Sequence, residues 1–484
     1  MSARSSACAV LLAGAGIVSA SAQEIQPRMG DPLPGLTAIE RAQFDEGRLE
    51  FMHILTVAEG QGPILNDTSC STCHAIPRVG GAGSKRVIRF GRAASGGNPF
   101  DPLTKLGGSL LQASSTMIEC QEVVPPPADV LARRVTPNVS GDGLVEAIRG
   151  SDIRAREFAP PAGVSGRAHM VASFEDPPFA RPRVGRFGWK AQLASLLSFS
   201  ADASLNEMGL TNRFLPEENA PNGNTAVLAL CDTVRDPEDH AGPGGLHAID
   251  RQTNFQRLTA PPPQTPRGGM TGATVFGAIG CEACHRETFV TGPSPILALS
   301  GKTIHPYSDF LLHDMGTSLG DGIVQGYATE TELRTAPLWG LRSRAEIGLL
   351  HDGRATGGTP QQNLRDAVLA HDGEGLASRG AFVALAPEQQ DELFAFLMSL
   401  GRVEFDDEGD HDVDALDWFF LEADGRFTGP GAGFTPDHPA AVADFDRDGD
   451  FDLVDFAVYQ RAMTGDDATP PQPEDLIDLG PRDR

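Results

Sequence analysis

The pattern C-x-x-C-H occurs twice in this chain, as Cys70-Ser71-Thr72-Cys73-His74 and as Cys281-Glu282-Ala283-Cys284-His285. Nothing else in the sequence restricts the fold as much. Two thiols three positions apart can each add to a vinyl group of a haem, and the imidazole that follows then reaches the iron from one face. A zinc site needs four ligands, and neither motif has a second C-x-x-C or a spaced His pair to complete it. A thioredoxin-like dithiol has no use for the histidine and prefers a βαβ setting. The motifs are therefore read as two covalent haem c sites, with Cys70, Cys73, Cys281 and Cys284 as attachment residues and His74 and His285 as iron ligands. The rest of the chain has to wrap two flat apolar groups. The sixth ligand of each iron decides its use: His or Met closes it for electron transfer, and an open position admits peroxide or oxygen.

Residues 1–22 carry Arg4, an apolar run from Ala7 to Val18 and a small-x-small ending at Ala20-Ser21-Ala22. They read as a secretory signal peptide, with a periplasmic or secreted, cell-surface-associated destination. No later segment approaches the roughly 20 apolar residues of a membrane span, so stable insertion is not expected. Of seven cysteines, Cys8 leaves with the signal and four belong to the motifs, so Cys120 and Cys231 remain as a candidate disulfide. From Val403 onward, 23 acidic residues face 5 basic ones, which leaves only −8 of the net −26 for the preceding residues. The tail is thus a different kind of object. With no basic patch, nucleic acid is not an expected partner.

Helical signals flank both motifs. LTAIERAQFDEGRLEFM (36–52) precedes the first. After the second, Thr359-Pro360-Gln361-Gln362 reads as N-cap, N1 proline and capping box, opening a helix expected to run to just before Gly373. Leu364, Val368 and His371 fall on one face of it, which aims an imidazole from an apolar stripe. A further helix, 387–400, has Leu393, Phe396, Leu397 and Leu400 as its stripe and stops at Gly401. The expected fold is mainly α: two cytochrome c-like domains with loop-rich and short-strand insertions, plus a small calcium-loop module. The expected order is a signal peptide (1–22), a first cytochrome c-like domain (36–225), a second (265–402), the module (403–465) and a disordered end (466–484).

The blocks GQGPILNDTSCSTCH (60–74), GDGLVEAI (141–148), GRFGWKAQ (185–192), NEMGLTN (206–212), IGCEACH (279–285), HPYSDFLLHDMG (305–316), RTAPLWGL (334–341) and LLHDGRA (349–355) resemble the bacterial di-haem oxidoreductases. These are thiol-oxidoreductase-like proteins similar to di-haem cytochrome c peroxidases and to the di-haem enzyme of methylamine dehydrogenase maturation. The resemblance covers roughly residues 36–402. It implies two haem domains facing each other across a cleft, with a small redox protein as electron donor and hydrogen peroxide or a related oxidant as acceptor. It makes His371 the counterpart of the second haem's distal ligand, which is Met or Tyr in the relatives, with Met315 as the competitor. For the first haem, Met208, His53, His169 and Met117 are the candidates. Glu146 is the counterpart of a distal carboxylate that moves a proton. Trp189 is a candidate relay between haems. Arg354 and His351 of LHDGRA stand near the cleft, with Arg354 suited to a haem propionate. A pure electron carrier with both irons closed, and a scaffold whose tail sets its role, are the alternatives.

The tail holds Asp444, Asp446, Asp448, Asp450, Asp452 and Asp455 around Gly449, the spacing of a calcium loop with Gly at position 6. A copy lies 38 residues upstream, with Asp406, Glu408, Asp410, Asp414 and Asp417 as its ligands and His411 where Gly is expected. The pair resembles a type I dockerin, which implies a cohesin-like partner.

Overall fold

The computed structural model describes residues 24–407, 410–423 and 425–463. The expected signal peptide (1–22) with Cys8, Glu408 and the expected 466–484 end lie outside the described residues. Helix accounts for 37% and strand for 12%, so the mainly α expectation holds at that level. No helix among the described residues is long and apolar enough to cross a membrane.

The first half is built on helix Ala38–Met52, opened by the Thr37/Glu40 capping box, and on helix Ala248–Leu258. The two pack closely because Gly47 has no Cβ to collide with the Arg251 carbonyl. Phe44, Phe51 and Phe255 fill the seam. Helix Leu196–Met208 packs on the other side of Ala248–Leu258, a helix in the interval that sequence reading left between domains. The inserted strands Arg86–Gly91, Leu110–Leu111 and Val130–Val135 form an antiparallel sheet with Arg86–Gly91 in the middle. Cys120 and Cys231 form the expected disulfide.

The second half pairs helix Thr271–Ala278 with helix Pro387–Ser399. Leu393, Phe396, Leu397 and Leu400 are all buried, as their stripe requires. Helix Pro360–Leu369 has the expected cap but ends at Leu369, because the His371 amide turns back to the Val368 carbonyl in a tightened last turn.

One hydrophobic cluster contains Leu144, Ile148 and Leu196 from the first half with Phe289, Phe310 and Trp339 from the second, so the halves share a core. Both halves approach this seam through a turn that demands glycine. Gly141 (φ +83) opens helix Asp142–Glu146 and Gly340 (φ +75) opens helix Leu341–Ile347. A Cβ on Gly141 would press to 3.0 Å from the Trp339 ring.

The tail module has its own core of Phe405, Phe445, Phe451 and Tyr459, and it is docked against both halves. Arg78, just after the first motif, donates to the His411 carbonyl at 3.3 Å. The Asp437 carboxylate accepts from the Thr271 amide at 3.0 Å, at the positive end of helix Thr271–Ala278.

Candidate haem sites

Cys70–Cys73 is a single helical turn capped by Ser69, whose hydroxyl accepts from the Thr72 amide, and His74 leaves at its end. Cys281–Ala283 is a 3-10 turn entered through Gly280 (φ +84). All four motif cysteines are free of disulfides. Burial pushes Cys73 and Cys281 up to about 12, so they stay thiols rather than the thiolates that a dithiol redox site uses.

The two motif histidines are held alike. His74 Nδ1 lies 3.3 Å from the Gly81 carbonyl and His285 Nδ1 lies 3.0 Å from the Tyr307 carbonyl. A carbonyl only accepts, so Nδ1 carries the proton and Nε2 keeps its lone pair for a metal. Burial pulls both imidazoles down to about 4 and keeps them neutral, the form that ligates.

A cavity runs from the second motif into the seam between the halves. Around Cys281, Cys284 and His285 its wall is apolar, with Phe276, Leu341, Leu364 and Leu393 among the lining side chains. His371 faces His285 with ring centroids 6.5 Å apart. Its Nδ1 is tied to the Ala367 carbonyl at 2.8 Å, and burial lowers its pKa, so its Nε2 is also free and neutral. Two imidazole–metal bonds of about 2 Å each, plus about 1 Å from each nitrogen to its ring centre, make about 6 Å. The pair therefore has a spacing at which both imidazoles could reach one metal ion, and the residues would fit a haem. Met315 also lines this cavity, beside His371 at Gly375.

Toward the seam the cavity becomes polar, with Asp142, Arg334, Arg344, Trp189, Trp339 and His351 in its wall. Burial holds the Asp142 carboxyl well above the usual range, although the Arg334 guanidinium opposes this. Trp189 donates its ring N–H to the Val135 carbonyl at 2.9 Å and meets the His351 ring edge-on at 6.3 Å. Beside Cys284 stands a group that sequence reading missed. His313 has Nε2 3.0 Å from Asp309 Oδ2 and Nδ1 2.7 Å from Glu374 Oε2. Burial lowers its pKa, and its hydrogen bonds to Asp309, Cys284 and Glu374 more than offset that, lifting it to about 12. Asp309 and His313, four residues apart in HPYSDFLLHDMG, were the available signal.

The family description that matches residues 127–400, more than half of the chain, reads "Di-haem oxidoreductase, putative peroxidase". The chain belongs to this di-haem oxidoreductase family. No curated protein matches it. The first C-x-x-C-H precedes the matched residues, and the second lies within them.

The remaining candidates of this oxidoreductase divide by their surroundings. Met208 is buried with its sulfur 4.0 Å from Cys70 Sγ, next to the first C-x-x-C-H motif. His169 has Nδ1 on the Lys190 carbonyl and Nε2 accepting from the Tyr327 amide, so both nitrogens are committed to backbone. His53 is exposed and paired with Glu59 at 2.9 Å, and Met117 is exposed. Glu146 does not line the cavity. Its carboxylate is held by Arg257 at 2.7 Å and by the Leu196 amide at 2.8 Å, so it anchors helix Leu196–Met208. The acid of that short helix that lines the cavity beside the second motif is Asp142. Arg354 pairs with Asp352 at 2.6 Å and lines a separate recess, whereas Arg334 and Arg344 line the cavity beside the second motif.

In the tail, oxygens of Asp444, Asp446 and Asp455, and of Asp450, Asp452 and Asp455, converge within 4.8 Å. Gly449 turns at φ +86 as position 6 requires, and Asp444 Oδ1 is buried without a partner. Asp448 lies outside both clusters and accepts from the Asp450 amide. In the upstream copy the converging acids are Asp412, Asp414 and Asp417. His411 takes φ +73, the conformation expected of glycine there.

Proposed function

We propose that the protein is an exported di-haem c oxidoreductase of peroxidase type, accepting electrons one at a time from a small redox protein and passing them to hydrogen peroxide or a related oxidant. The observation that carries this reading is the His285–His371 pair, two neutral imidazoles at 6.5 Å with their Nδ1 atoms turned away. When bound, the haems supply one-electron transfer and, at an iron with an open position, reduction of an O–O bond. Cys70, Cys73, Cys281 and Cys284 hold them, and His74 and His285 ligate. His371 would be a second ligand at the Cys281–His285 site, which would suit that haem to electron transfer and leave the chemistry to the other. Burial raises the pKa of the Asp142 carboxyl against the opposing field of Arg334, which suits it to the role of proton donor in the seam. Arg334 and Arg344 present guanidinium groups suited to propionates. Reduction of peroxide to two waters takes two electrons and two protons.

A second reading, electron transfer with both irons closed, draws on Met208 beside Cys70. The electron paramagnetic resonance spectrum of the calcium-loaded, haem-complete protein after one-electron reduction separates the two. A high-spin ferric signal that changes on adding peroxide is expected. Only low-spin signals, indifferent to peroxide, would replace the first reading by the second. For the tail we infer calcium at the Asp444–Asp455 loop. A cohesin-like partner is inferred from the resemblance together with the exposed Phe419, Leu453 and Val454.

A further inference from the structure

Arg86, Arg133 and Arg354 line a recess separate from the cavity beside the second motif. Two of the three come from neighbouring strands. The register sets Arg86 opposite Val135 and Ile88 opposite Arg133, so Arg86 and Arg133 are diagonal neighbours on one face of the sheet. The third comes from a turn far along the chain, and a glycine brings it close. Gly353 turns at φ +67, its carbonyl accepts from Arg86 Nη2 at 2.8 Å, and a Cβ on it would stand 3.0 Å from Arg86 Nε and Nη2. Arg86 therefore lies against the turn that carries Arg354.

The acids of the recess are already engaged. Asp352 accepts from Arg354 Nε at 2.6 Å, and Asp321 is paired with Arg134 and Lys190. Arg133 has no hydrogen-bond or ion-pair partner among the described residues. The recess is thus net positive in a chain of net charge −26. Exposed guanidinium groups are satisfied by water, but the imidazole behind them is not. His351 lines the recess, is 3% exposed, and has its Nδ1 shut off from solvent with no hydrogen-bond partner. A buried polar nitrogen left unpaired is destabilising until a partner reaches it.

We propose that this recess binds a small oxyanion or carboxylate, held by Arg86, Arg133 and Arg354 with His351 in its wall. Guanidinium forks match the paired oxygens of such groups. His351 also lines the cavity beside the second motif and meets the Trp189 ring edge-on at 6.3 Å, so it is a wall that the anion site and that cavity share. The site is built from the inserted sheet and one turn, and it stands or falls independently of any reaction at the haems.

The test titrates the full haem- and calcium-loaded chain with sodium sulfate or sodium succinate by calorimetry, at an ionic strength held constant with sodium chloride. One anion per chain should bind saturably. R133Q has no internal contact to lose and should weaken that binding by about tenfold or more, the effect of removing a charged hydrogen bond. R181Q, which removes an exposed arginine outside the recess, should leave the affinity unchanged. Binding of succinate alone would mark a carboxylate ligand, of sulfate alone an inorganic oxyanion, and of both a site for either, each in support. No saturable binding of either probe overturns the proposal, as does an affinity that R133Q leaves unchanged or that R181Q weakens equally.

Discussion

Replacing Asp321 by alanine removes a buried negative charge shared by two cations. Arg134 donates Nε and Nη2 to Asp321 Oδ2 at 2.9 and 2.7 Å, and Lys190 Nζ lies 3.0 Å from Oδ1. The three side chains are at most 4% exposed. They join pieces far apart in the chain: strand Val130–Val135, the segment before Gln192, and the segment after the second haem motif. Lys190 keeps the Thr329 and Glu332 carbonyls, each at 2.7 Å, when Asp321 is lost. Among its side-chain hydrogen bonds Arg134 keeps the one to Gln325 Oε1 at 2.7 Å, so most of the damage falls on it. Stranding one member of a buried pair costs about 3–5 kcal/mol. D321A should lose that much, and D321N, which retains one acceptor oxygen, should fall near the lower end. Urea unfolding at neutral pH, followed by tryptophan fluorescence, reads the difference. The pH dependence has a defined sign. Burial raises the Asp321 pKa, but Arg134 and Lys190 lower it by more, so the net shift is downward. Its stabilisation is present above the ordinary aspartate value of about 3.9 and is lost as pH falls through the depressed folded value. A loss under about 1 kcal/mol in D321A would refute the reasoning, because it would mean that the two cations are satisfied without the anion.

H371A should turn a low-spin second haem signal high-spin while leaving haem attachment intact, and an unchanged spectrum would remove His371 as a ligand. D142N should slow peroxide turnover by about 10²–10⁴ with little change in the haem spectra, and an unaltered rate would deny it the proton role. The His313 and Glu374 pair should be tightest between the ordinary glutamate and imidazole values. His313, shifted upward, contributes below its unfolded pKa and loses that contribution as pH rises through the folded one. Glu374, pulled down to about 2, contributes above its unfolded pKa and loses it on acidification. E374Q should flatten the acid side of a melting-temperature profile. Calcium chelation should lower the melting temperature of the tail module, and D455N should remove most of that response.

Local signals were legible wherever one turn of chain contains the whole cause. The capping box at Thr359 and Gln362 needs four residues, and it formed where expected. The heptad-like stripe of Leu393, Phe396, Leu397 and Leu400 needs two turns, and it is buried. Side-chain surroundings that depend on distant partners are not legible in this way. Asp142 and Glu146 sit on one five-residue helix, and only Arg257 and the Leu196 amide, both far along the chain, draw Glu146 away from the cavity. His169 was a plausible ligand by type, yet the carbonyl of Lys190 and the amide of Tyr327 occupy its nitrogens.

The sequence by itself determined two C-x-x-C-H motifs, each with the thiols and imidazole that a haem would need, and an acidic loop with calcium spacing, because thiol, imidazole and carboxylate chemistry at short spacing survives any fold. Tertiary structure alone decided which acid faces the seam, which imidazole stands 6.5 Å from His285, and that Arg86, Arg133 and Arg354 line one recess. Those outcomes depend on burial and on contacts between residues tens to hundreds of positions apart, and a pattern read along the chain contains neither.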